Sequence, residues 1–268
     1  MNQYEILKYP RTPHLEGSRL QAGDEDLSQI PFSCIADKQI VVEEKCDGAN
    51  TAVSFDRDGS LLLQSRGHYL TGGNREKHFN LLKQWGNFYR DALFSVLGTR
   101  YLMYGEWMYA KHTVFYDSLP HYFLEFDIYD RERDAFLDTP SRQKLLAGLP
   151  VASVPVMETA AFKSLQELTA LIGPSAFIRG GHIQRLRVYC EKNGEPVDRN
   201  VNETDPSTLM EGLYIKVEQG GQVVDRMKYV RHSFLQCVNL SDSHWLSRPI
   251  IPNQLACPLE ALFAPRLL

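Results

Sequence analysis

The feature that most constrains the fold is Glu211-Gly212-Leu213-Tyr214-Ile215-Lys216-Val217-Glu218, followed by Gly220-Gly221 and then Gln222 to Arg231. Apolar and polar residues alternate on both sides of a glycine pair, which is the pattern of a β-hairpin. Pairing Glu218 with Val223 puts Glu211 opposite Val230 and diagonal to Lys228, with Arg226 on the same face. Diagonal neighbours lie about 7–8 Å apart. A two- or four-residue loop gives this register, and a three-residue loop shifts it. Leu213, Ile215 and Val224 fall on the same face, so an acid and two bases are expected at one end of an inward-facing strip.

A second hairpin is expected where Asp56-Arg57-Asp58-Gly59 separates Thr51–Phe55 from Ser60–Ser65. Pairing back from that turn brings Ser65-Arg66 beside residues 49 to 52. Just upstream, the apolar run Ile40 to Val42 leads into Glu43-Glu44-Lys45-Cys46-Asp47-Gly48-Ala49-Asn50, a polar turn between two strands. Gly48 allows the backbone to bend closely around a ligand. A free lysine has a pKa of about 10.4 and is no nucleophile at neutral pH, so neighbouring cations or desolvation must lower that value. These eight residues alone favour a surface lysine paired with Glu43 or Glu44.

Arg100 to Met108 and Tyr122 to Tyr129 read as strands, each with an acid among large apolar residues, Glu106 and Asp127. A carboxylate buried among aromatics is costly unless it is paired, hydrogen-bonded or bound to metal. Phe79, Leu82, Trp85, Phe88, Ala92 and Val96 recur at helical spacing and predict one helix with one buried face. Residues 139 to 205 read as a more helical insert: Thr139-Pro140 opens one helix, and Ser164 with Glu167 caps another. Arg179, His182, Arg185 and Arg187 cluster around Gly180-Gly181, suiting either phosphate contact or a solvated face. Gly72-Gly73 fits neither the Rossmann nor the P-loop pattern.

The expected organisation is an N-terminal arm over 1–38 packed on a domain over 39–233, then a short C-terminal extension over 234–268 carrying Trp245 and Pro249-Ile250-Ile251-Pro252. Within the arm, His14 to Arg19 reads as a solvated loop. The net charge of −4 gives no global attraction to nucleic acid, so any such contact needs a local basic patch. Five scattered cysteines without a C-x-x-C pair, no apolar run near the ~18 residues of a membrane span, and no signal-peptide pattern make a cytoplasmic, non-membrane protein the expectation.

Taken in order, Lys45-x-Asp47-Gly48-x-Asn50, Ser65-Arg66, Gly105-Glu106, Phe126-Asp127, Glu211-Gly212 and Arg226-x-Lys228 resemble the motif series of the covalent nucleotidyltransferases. That superfamily holds ATP-dependent DNA ligases, RNA ligases and mRNA-capping enzymes. Asn50, five residues after the lysine, is similar to the RNA ligase 2-like branch. Asp47 stands where several RNA ligases have histidine, and Arg226 where lysine is common. The resemblance implies an α+β nucleotidyltransferase (ATP-grasp-like ligase) domain, with mainly antiparallel sheets flanked by helices. The 37 residues after Arg231 are too few for an OB-fold.

The resemblance further implies ATP as co-substrate and Mg²⁺, with Mn²⁺ able to substitute. Lys45 would form lysyl-AMP, helped by Lys228 and Arg226. Glu44, Asn50, Arg66, Glu106, Phe126, Glu211 and Lys228 would bind nucleotide, Glu211 and Glu106 would hold metal, and Asp47 and Asn50 would place substrate. The partners implied are RNA ends with a 5′-phosphate and a 3′-hydroxyl, together with an end-healing kinase or phosphatase, in RNA repair. A minimal ATP-dependent DNA ligase and a non-catalytic RNA-binding scaffold are the alternatives.

Overall fold

The structure is a computed structural model describing residues 5–20, 28–234 and 249–264. Its strands are β1 His14–Leu15, β2 Gln29–Ile30, β3 Gln39–Lys45, β4 Ala49–Phe55, β5 Leu61–Ser65, β6 Tyr101–Trp107, β7 Phe123–Asp130, β8 Ala135–Leu137, β9 Ala152–Ser153, β10 Val156–Ala161, β11 Gly212–Gln219 and β12 Gln222–Val230. The helices are α1 Asn80–Phe88, α2 Arg90–Leu97, α3 Thr139–Leu146, α4 Leu165–Thr169, α5 His182–Asn193 and α6 Val197–Asn202. Neighbours run in the order β10-β3-β11-β12-β8-β7-β6-β4-β5, antiparallel throughout, while β1, β2 and β9 add in parallel. An antiparallel sheet flanked by helices is therefore the architecture.

The sheet folds into two halves. β10-β3-β11-β12 and β7-β6-β4-β5 are joined by β8, which pairs with β12 at Gln222 and Val223 and with β7 at Tyr129 and Asp130. At the opposite end of β12, Val230 pairs with Gly212, and Gly212 with Lys45. From Lys45 the chain steps through residues 46–48 into β4, crossing from one half to the other at the end away from β8. Leu213, Ile215, Val42 and Met227 form the outer core of the first half. Val53, Phe55, Met103 and Phe123 pack against Leu82, Trp85, Leu93 and Leu97 on the outside of the second.

The structure changes several expectations. A register shift between Val217 and Glu218 in the β11–β12 pair puts Tyr214 opposite Lys228 and Lys216 opposite Arg226. Glu218 still faces Val223, but the bulge moves Arg226 and Lys228 to the face opposite Leu213 and Ile215, and leaves Val224 47% exposed. The single long helix is broken at Tyr89 (φ −100°, ψ 15°), so α2 presents a different face: Tyr89, Leu93 and Leu97 are buried, whereas Phe88 and Ala92 are exposed.

His14 to Arg19 is no solvated loop. His14 and Ser18 are buried and joined at 2.7 Å, and the Ser18 hydroxyl accepts from the Val230 N–H. The segment 139–205 contributes more than helices, because β10 pairs along β3 from Val156–Glu43 to Ala161–Gln39. The basic cluster there is largely committed: Arg185 Nε donates to Asp117 at 2.6 Å, and His182 is buried. Trp245 lies outside the described residues, while Ile251 packs with Phe115, Leu186 and Cys190. Among the described residues no helix is long and apolar enough to cross a membrane.

Candidate active site

The turn bearing Lys45 is fixed from both sides. A Cβ on Gly48 would meet Met108 Sδ at 2.8 Å, with Glu106 Cγ and the Trp107 carbonyl oxygen at 2.9 Å, so the turn lies against β6 only because residue 48 is glycine. Its N–H donates to Glu106 Oε1 at 3.2 Å. The Asp47 N–H donates to the Tyr116 hydroxyl at 2.8 Å, and Asp47 Oδ2 accepts from the N–H groups of Thr113 (2.7 Å) and Val114 (2.9 Å). His112 Nδ1 lies 3.7 Å from Asp47 Oδ1. Burial pushes the Asp47 carboxyl up, but His112 and the two N–H groups outweigh it and hold the group below its ordinary value.

Lys45 projects into an excess of negative charge. Its Nζ donates to Glu211 Oε2 at 2.8 Å and lies 2.7 Å from Oε1. Burial favours the neutral amine, yet Glu211, Glu106 and Asp47 together raise the lysine above its ordinary pKa. A lysine made neutral by neighbouring cations is thus replaced by an ammonium held by carboxylates. The acids carry the strain: burial, opposed by Lys45 and reinforced by the other acids, raises Glu106 to about 8 and Glu211 to about 7. Both acids are thus held near neutrality, where a cation would displace their protons.

The other expected residues divide into those at this centre and those elsewhere. Asn50 on β4 sits directly across from Glu106 on β6. Lys228 is near enough to Glu211 to oppose its upward shift. Arg66 follows Ser65, which pairs with Thr51, and is exposed at the rim. Phe126 is half-buried in the cleft wall, with Tyr9 edge-on at 5.0 Å. Arg226 is not beside Lys45: its guanidinium lies 3.8 Å from the Phe136 ring centroid and 5.3 Å from that of Tyr9. Glu44 also points away, because strand alternation puts it on the outer face, where it accepts from Ser175 Oγ and the Ala176 N–H.

Deeper in the cleft lies a network that the motifs do not contain. Arg142 from α3, fully buried, donates to Glu125 Oε2 at 2.6 Å and to Glu43. Lys216 Nζ lies 2.9 Å from Glu43 Oε2 and 3.0 Å from Asp127 Oδ1. The Tyr9 hydroxyl donates to Asp127 and lies 2.6 Å from the Tyr214 hydroxyl. For Glu125, Asp127 and Lys216 the local signal is a charged residue within an otherwise apolar strand, whereas Arg142 on α3 and Tyr9 in the arm carry none.

Among the described residues no group of three or more His, Cys, Asp or Glu forms a ready metal cage. Mg²⁺ binds through one or two carboxylates and keeps several waters, and Glu106 with Glu211 offers such oxygens in a site with surplus negative charge. The residues fit the ion.

The sequence model of the RNA ligase family, described as RNA ligase, matches residues 38–230. This chain belongs to the RNA ligase family. No curated protein matches it significantly. Its fold is similar to a Naegleria gruberi RNA ligase mutant with ATP and Mn at 16% identity and TM-score 0.53, over 86% of this chain and 58% of that one. A second such mutant with ATP and Mn gives 18% identity and TM-score 0.52 over 88% and 59%. A third gives 15% and 0.51 over 90% and 64%, so this chain spans 58% to 64% of the length of these ligases. In this RNA ligase family member the matched region starts just before β3 and ends with β12, enclosing every motif residue from Lys45 to Lys228 while leaving the arm outside.

Proposed function

We propose that the chain is an ATP-dependent RNA ligase that works through a covalent lysyl-AMP intermediate. The observation that carries this reading is Lys45 held at 2.7–2.8 Å by Glu211, with Glu106 and Asp47 adding charge around it. As an ammonium Lys45 cannot attack. Glu211, poised near neutrality, is placed to take its proton. The freed Nζ forms a bond to the α-phosphorus of ATP, and the α–β bridging P–O bond breaks, with its electron pair leaving on pyrophosphate. Mg²⁺ or Mn²⁺ held through Glu106, with Glu211 left to accept the Lys45 proton, would supply positive charge against phosphate oxygens.

The chain's own groups position the rest. Lys228 faces the reacting phosphate, and Arg226 adds its charge from deeper in the cleft. Glu106 and Arg66 hold the ribose hydroxyls, Phe126 stacks on adenine, and Asn50 beside Glu106 helps to place the substrate. Asp47 acts by fixing the turn. AMP then passes from Lys45 to a 5′-phosphate, and a 3′-hydroxyl attacks that phosphate, releasing AMP and leaving a phosphodiester. Ends of this chemistry suit RNA repair in the cytoplasm, after a kinase or phosphatase has prepared them. The Naegleria gruberi ligases with ATP and Mn support the choice of nucleotide and metal.

Incubation with Mg²⁺ and α-labelled ATP or GTP, followed by denaturation, tests the proposal. The expected result is an acid-labile AMP adduct that Lys45→Ala abolishes. No adduct from protein freed of prebound nucleotide would instead leave an RNA-binding scaffold.

A further inference from the structure

The arm ahead of β1 is pinned at alternating points, and its cations stand between the pins. The Leu7 carbonyl accepts from Gln64 Nε2 and from the Tyr104 hydroxyl, each at 2.8 Å. Tyr9 is buried, with its hydroxyl on Asp127 and Tyr214. The Thr12 hydroxyl lies 3.1 Å from that of Tyr214, and the Pro13 carbonyl accepts from the Lys228 N–H at 2.9 Å. Lys8 and Arg11 on the same stretch are exposed. The arm therefore spans β5, β6, β7, β11 and β12 while presenting two cations outward from a held backbone.

Those cations converge with a third. A cavity of about 630 Å³ is lined by Lys8, Tyr9, Pro10, Arg11, Arg66 and Gly67, so three bases and no acid border it. It adjoins the Lys45 centre, since Arg66 follows Ser65 opposite Thr51, and the next residue back, Asn50, faces Glu106. In a chain of net charge −4, a concentrated basic patch is what strand capture requires.

We propose that Lys8 and Arg11, which share this cavity with Arg66, form a phosphate-binding subsite that holds the polynucleotide backbone beside the Lys45 cleft. This rests on the ligase reading for its substrate class. The two arm cations are exposed and lie three residues apart on a held backbone, which suits consecutive backbone phosphates.

The test uses the full chain with Lys8→Ala and Arg11→Ala combined, and Lys8→Gln with Arg11→Gln as a second variant. A fluorescent 5′-phosphorylated RNA oligonucleotide is titrated without ATP across a salt series, and adenylylation is measured separately. The subsite predicts weaker RNA binding by a similar factor for unrelated sequences. It also predicts a slope of log K against log salt shallower by about 1.4, about 0.7 for each lost single-strand contact. The KM for ATP in adenylylation and the melting temperature stay at wild-type values, and Lys8→Arg with Arg11→Lys retains binding. Unchanged RNA affinity and slope in a folded variant would overturn the proposal, as would unchanged RNA binding with a raised KM for ATP, which assigns the cavity to nucleotide phosphates. Failure of the wild-type chain to adenylylate would count against the ligase reading alone, because the RNA titration is read independently.

Discussion

Two charged clusters line the same cleft and are built from the same residue types with opposite balance. At the floor, Glu43, Glu125 and Asp127 meet Arg142, Lys216 and Arg226, three acids against three bases. Around Lys45, Glu106, Glu211 and Asp47 surround one lysine, with Lys228 the further cation nearby. Asp127 shows the effect of balance: burial pushes it up, but Lys216 and Arg226 bring it below its ordinary value. Burial still keeps Glu125 raised despite Arg142 and Ser153. Glu211 and Glu106 reach about 7 and 8. The floor ties one half of the sheet to the other, because Lys216 sits on β11 and Asp127 on β7, and Arg142 joins β3 to β7. Around Lys45 the acids outnumber the bases, so the balance there stays negative.

The contrast breaks most sharply with Lys45→Ala, which should abolish nucleotide transfer while the chain still folds, seen as background labelling with a cooperative melting curve retained. Arg142→Ala should do the reverse. Removing one partner of a buried ion cluster costs about 3–5 kcal/mol, measurable by urea unfolding. Combining Arg142→Met with Glu125→Gln should recover much of that loss, since Glu43 and Asp127 then face Lys216 and Arg226 with no uncompensated charge left. Gly48→Ala sits between the two behaviours. The 2.8–2.9 Å contacts of its Cβ should cost about 1–3 kcal/mol by unfolding and also slow adenylylation by displacing Lys45.

The smallest effect is a pH dependence. Glu211 takes up its proton near pH 7 when folded against an ordinary value of 4.5, so the folded chain binds more protons between those values. The stability this contributes is complete below about pH 4.5 and is lost as pH rises through 7; Glu106 carries the window on to about 8. Urea unfolding at pH 5 and pH 8 should show the wild type losing on the order of 1 kcal/mol more than Glu211→Gln. Mg²⁺ should narrow that difference by relieving the carboxylates at high pH.

The cluster around Lys45 was far more legible in the sequence than the floor. Lys45, Asp47, Gly48, Glu106 and Glu211 lie in turns or at strand ends, where local pattern and motif order identify them. Glu43, Glu125, Arg142 and Lys216 look like the solvent side of strands and a helix until the two halves close over them. Both hairpins were legible, but the β11–β12 bulge was not, and one extra residue moved Arg226 and Lys228 to the other face. Glu44 was read with its neighbour Lys45, although strand alternation sends the two to opposite faces. The arm's role was hidden because Tyr9, His14 and Ser18 acquire partners more than a hundred residues away.

The most direct measurement is intact-protein mass spectrometry after incubation with ATP and Mg²⁺, followed by peptide mapping of the adduct. The account predicts one added AMP, carried by the peptide containing Lys45 and absent from Lys45→Ala protein. An AMP mapped to any other residue, or retained at full yield in Lys45→Ala, would contradict it.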